Sequence, residues 1–152
     1  MKEILIFCFV IFAFNLAVSF FRTQFSKKKG QEILKLYSHE KLEKVEVKIS
    51  ETRYSRFSNR GGTLCFLKCT MYYSENVLIF TQNENSNFAE INFTLPLVVH
   101  PVDIKNIFMK TDEYILNVGN SKSGRKLQIY SDNENDLLKV IFNGLKKNVI
   151  SF

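Results

Sequence analysis

Three arginines, Arg53, Arg56 and Arg60, stand at three- and four-residue spacing beside Tyr54 and Phe57, leading into the turn signal Ser58-Asn59-Arg60-Gly61-Gly62. A basic cluster at a hairpin is chemistry for an anionic surface, each such side chain contributing about 1 kcal/mol close to charged lipid. The other reactive residue types are sparse. His39 sits beside Glu40, and His100 precedes Pro101, with no Cys, His or Asp at ligand spacing from either. Cys65 and Cys69 are four apart in a predicted strand. That spacing is roughly 13 Å, beyond the disulfide limit of about 7 Å between Cα atoms. A lone C-x3-C without a partner pair is a poor zinc signal, so both cysteines are expected to pack. Two unpaired thiols also suit a reducing compartment.

Asp132, Glu134 and Asp136 alternate, but the EF-hand pattern fails, because Leu137 and Asn143 stand where its Gly and Glu belong. Helix capping explains these acids better. No G-x-S-x-G, Walker A, dinucleotide fingerprint or H-E-x-x-H occurs. No catalytic residue, cofactor or metal is therefore expected. Asn92-Phe93-Thr94 fits a glycosylation sequon but falls in a predicted strand.

These residues are carried by a chain of 152 residues with net charge +6 and 45% apolar content, enough for one folded domain. The charge is uneven. Residues 1–29 hold five basic groups and one acid, whereas residues 30–152 hold 16 basic and 14 acidic groups. The basicity thus belongs mostly to the N-terminal flank, which argues against nucleic acid as a partner.

Ile4 to Phe21 is an uncharged run of 18 residues. As a helix it covers roughly 27 Å, close to the hydrocarbon thickness of about 30 Å. The run is longer than a usual signal-peptide core. Arg22, Lys27, Lys28 and Lys29 follow it, while Lys2 before it is offset by Glu3. The positive-inside rule then puts the C-terminal side in the cytoplasm. The competing reading is a cleaved signal peptide, for which Ala17-Val18-Ser19 is an acceptable site. The expected organisation is an anchor over 1–22, a basic linker and short amphipathic helix over 23–42, and a folded domain over 43–152. Within the middle segment, Ser26–Gly30 reads as linker and Gln31–Glu43 as helix.

Beyond residue 43 the apolar period changes from 3.6 to 2. Val45, Val47 and Ile49 alternate with Lys44, Glu46 and Lys48, and the strand runs on through Tyr54. Further strands are predicted over Thr63–Tyr73, Val77–Thr81, Phe88–Val99, Ile104–Lys110, Tyr114–Val118 and Arg125–Tyr130. Pro96 inside the fourth implies an edge or a bend. Ser131-Asp132-Asn133-Glu134 has the form of a capping box. Leu137, Leu138, Ile141, Phe142 and Leu145 then recur at helical spacing.

Seven strands followed by one amphipathic helix, with the phrase LPLVVHPVDIKNIFM ahead of the late strands, resemble the pleckstrin-homology (PH)-like superfold. Within it, the bacterial PH-like and GRAM-like domains are the nearer likeness. The resemblance covers residues 43–149 and rests on element order and spacing. It implies a mostly β fold, a bent seven-stranded sheet or barrel capped by a C-terminal helix, behind an N-terminal transmembrane helix. It further implies a non-enzymatic interaction module that binds a protein partner or an anionic lipid surface. Phosphoinositide-binding PH domains place basic residues in the first hairpin, where Arg53, Arg56 and Arg60 fall, although the K-xn-[KR]-x-R spacing and the tryptophan of the final helix are absent. The alternative is an exported β-rich binding or inhibitor-type protein with a cleaved leader.

Overall fold

A computed structural model describes residues 2–55, 67–85, 95–110, 113–119, 123–131 and 135–150. The chain opens on α1 (Lys2–Leu36), 35 residues without a break. Seven strands follow: β1 (Glu43–Ser55), β2 (Leu67–Tyr73), β3 (Leu78–Gln82), β4 (Leu97–Val99), β5 (Ile104–Met109), β6 (Tyr114–Gly119) and β7 (Ser123–Tyr130). A single 3-10 turn, Pro101–Asp103, precedes β5, and α2 (Asn135–Ile150) closes the domain. The strands form one antiparallel sheet in the order β4-β3-β2-β1-β7-β6-β5. This is the arrangement that the PH-like resemblance implies.

The sheet turns on β1. Its first half pairs with β2 from Glu43↔Tyr73 to Ile49↔Leu67, and its second half pairs with β7 from Lys48↔Tyr130 to Ser55↔Ser123. One long strand therefore serves both halves of the curled sheet. Alternation puts Val45, Val47 and Ile49 on the core face, where they meet Leu67, Cys69 and Met71 of β2. Leu138, Phe142 and Leu145 of α2 fill the same core, and the Phe142 ring stacks on Tyr114 at 4.7 Å. Ser131 donates its hydroxyl to the Glu46 carbonyl (3.2 Å), fixing the chain between β7 and α2. The remaining residues of the expected capping box lie outside the described residues. Pro96 immediately precedes β4, which lies at one edge of the sheet, as its ring geometry requires. The predicted parts 63–66 and 88–94 of strands two and four, and the sequon at Asn92, also fall outside the described residues.

One expectation is corrected. Ser26–Gly30, read as a linker, is helical, and so is Gln31 onward only as far as Leu36. The reason is tertiary packing. Thr23, Ser26 and Gly30, at three- and four-residue spacing, are the buried positions of α1, which packs on the outer face of the sheet at β3 through Gly30. There β3 is buried on both faces. Leu78 and Phe80 look into the core, while Ile79 is 0% exposed on the opposite side. Gly30 gives the close approach, since a Cβ there would sit 3.3 Å from Thr81 Cγ2. Ser26 donates to the Leu95 carbonyl (2.9 Å), and Lys27 Nζ to the Glu84 carbonyl (2.6 Å).

Candidate functional site

The contacts of α1 give the sheet a direction. Lys27 meets Glu84, just past the end of β3, Gly30 meets Thr81 within it, and Tyr37 reaches His100 beyond β4. α1 thus runs antiparallel to β3. Its apolar residues 4–21 leave the domain from the end where β3 finishes and β2 begins. Large apolar side chains through this stretch, Phe7, Phe9, Phe12 and Phe14 among them, are exposed. Among the described residues, this is the one helix long and apolar enough to cross a membrane.

β1 runs towards that same end. Its later residues, Ser50 to Ser55, are paired with β7. Arg53 lies among them, opposite Arg125 in register. Arg56 and Arg60 lie outside the described residues. Arg125, which the candidate set lacked, carries its guanidinium 3.5 Å from the Glu51 carboxylate. Its side chain is 43% exposed, whereas that of Glu51 is 1% exposed. A buried carboxylate is costly without partners, so Glu51 holds Arg125 at the rim while leaving part of its side chain in solvent. Two arginines and Lys126 therefore share two adjacent strands at the end from which the apolar helix departs.

The opposite end is built around Glu40. Tyr37 and His100 Nε2 are 3.3 Å apart, and the His39 ring stacks on Tyr37. Glu40 accepts hydrogen bonds from the Ser74 hydroxyl and from Asn76 Nδ2 (3.2 Å) in the β2–β3 turn. The Ser74 bond chiefly, helped by Asn76 and the two imidazoles, holds the Glu40 carboxyl below the usual carboxylate range against some desolvation. Among the described residues, no group of three His, Cys, Asp or Glu side chains has metal-binding geometry. Cys69 is a core residue whose thiol is pushed up by burial, and Cys65 lies outside the described residues. Burial, reinforced by the nearby Glu84 charge, also raises the Tyr72 phenol.

No family model matches this sequence, and no curated protein matches it. Among solved structures the chain is similar to the N-terminal PH domain of human ARAP2, at 13% identity and a TM-score of 0.41. That likeness covers 73% of this chain and 84% of the other.

Proposed function

We propose that the chain is a membrane-anchored, non-enzymatic interaction module whose soluble domain faces the cytoplasm and rests one end of its sheet on anionic lipid. Arg53, Arg56 and Arg60 are its lipid contacts, with Arg125 opposite Arg53 in register. The organisation proposed is an anchor over residues 1–22, a connecting segment over 23–42 and a PH-like domain over 43–152. The observation that carries this reading is the unbroken helix from the apolar span onto β3. A helix fixed to both would transmit the orientation of the span to the sheet, turning the Arg53–Arg125 end towards the headgroups. Positive charge after the span supports the cytoplasmic side, and the anionic cytoplasmic leaflet supplies the opposing charge.

The test uses a fragment of residues 22–152, which keeps Thr23, Ser26 and the Gly30 contact with β3 but removes the apolar span. Its co-sedimentation with vesicles should rise with phosphatidylserine content. It should fall with salt, since the Debye length is about 8 Å at physiological ionic strength. Replacing Arg53, Arg56 and Arg60 by glutamine should weaken it further. Equal binding to phosphatidylcholine vesicles, or none at low salt, would rule the lipid contact out.

A further inference from the structure

The end of the sheet away from the apolar span carries an open groove of about 790 Å³. One wall is the α1–β1 connection with the β2–β3 turn, and among the described residues it presents Glu40, Glu43 and Glu75 with one cation, Lys41. The other wall is α2, contributing Leu137, Val140, Gly144 and Leu145. Val140 is 70% exposed, an apolar side chain held in water on the helix that otherwise plugs the core. Gly144 leaves the groove open, because a Cβ built there meets nothing within 4 Å.

Two of the three acids of this wall are held in place. Tyr73 donates its hydroxyl to Glu43 (2.6 Å), and Ser74 and Asn76 donate to Glu40. Its sign is also opposite to the net charge of the chain. The chain carries +6, and residues 30–152 alone are net basic, yet among the described residues this groove gathers three carboxylates and one amine. We propose that the groove docks a basic amphipathic segment of a partner protein, its apolar side chains over Val140 and Gly144 and its lysines or arginines against Glu43 and Glu75. Charge complementarity favours that occupant, and a rigid acidic rim selects orientation as well as sign. The groove lies at the end where α1 stops, so it stays open to soluble proteins when the span is in a bilayer. It is independent of the lipid contact at the other end.

The experiment uses the full chain in phosphatidylcholine nanodiscs, where no anionic lipid is present. The probe is a fluorescent leucine–lysine amphipathic peptide of about 18 residues, five helical turns. Fluorescence anisotropy against empty discs should show saturable binding that weakens with salt. A peptide with glutamate in place of lysine should not bind. Gly144→Trp, whose Cβ meets no neighbour within 4 Å and whose ring would occupy the groove, should lower affinity at least tenfold at an unchanged circular dichroism spectrum. The double variant Glu43→Gln, Glu75→Gln should remove most of the salt dependence. Binding no stronger than to empty discs, equal binding of the glutamate peptide, or indifference to Gly144→Trp would each overturn the proposal. So would self-association that Gly144→Trp abolishes in the absence of peptide binding, since the groove would then belong to a second copy of the chain.

Discussion

Gly30 of α1 and Thr81 of β3 approach so closely that any side chain at residue 30 must begin 3.3 Å from the Thr81 methyl. Gly30→Ala gains about 1 kcal/mol of helix propensity and loses most of it to this contact. It should leave stability within a few tenths of a kcal/mol. Gly30→Leu cannot be accommodated without moving the helix, and overpacking of this kind costs about 1–3 kcal/mol. Urea midpoints of the 22–152 fragment check both. A neutral Gly30→Leu would mean that α1 is not seated on β3.

α2 closes the core through Phe142, which is fully buried and stacked on Tyr114. Phe142→Ala should cost about 3–5 kcal/mol, and Ile141→Ala about 2–5 kcal/mol. Val140→Ala, on the exposed groove side, should stay within about 0.5 kcal/mol. Equal losses at Val140 and Phe142 would contradict the seating of the helix.

Cys69 is buried in the core with its thiol shifted up by desolvation. Thiolate is the reactive form, so with Cys8 and Cys65 replaced by serine, Cys69 should resist a thiol reagent until the domain unfolds. Rapid labelling in the native state would show that β2 is open to solvent at this point.

Glu40 gives a pH dependence of known sign. Its carboxyl is held below its ordinary value in the folded chain, first by the Ser74 hydroxyl. Its stabilising contribution is therefore fully present above that value and is lost as pH falls through the lower folded one. Wild type should be more stable than Glu40→Gln at neutral pH, and the gap should close on acidification below the ordinary carboxylate range. A gap that stays constant through this window would leave Glu40 without its electrostatic role.

Most of the sheet was legible because β1 alternates cleanly and turn residues separate the strands. α2 was legible through Leu138, Ile141, Phe142 and Leu145. The seating of α1 was harder to read. Ser26–Gly30 is polar and basic, and burial through Thr23, Ser26 and Gly30 leaves no apolar period to detect. A signal existed in β3, where Val77-Leu78-Ile79-Phe80 does not alternate, the pattern of a strand covered on both faces. Of the candidate site, Arg53 could be placed near a hairpin from sequence. Its neighbour Arg125 is 72 positions away, and only strand register brings the two opposite each other. The Glu40 cluster with Ser74, Asn76 and His100 is likewise assembled by topology.

The central claim is that the helix leaving the apolar span sets which end of the sheet meets the bilayer. It is tested most directly by headgroup quenching in the full chain. In variants lacking the native cysteines, a fluorophore is placed by Lys126→Cys, near the Arg53–Arg125 end, or by Glu75→Cys, at the groove end. Vesicles then carry nitroxide-labelled headgroups on the leaflet that bears the domain. The account predicts strong quenching at residue 126 and little at residue 75. Equal quenching at both, or stronger quenching at residue 75, would contradict it.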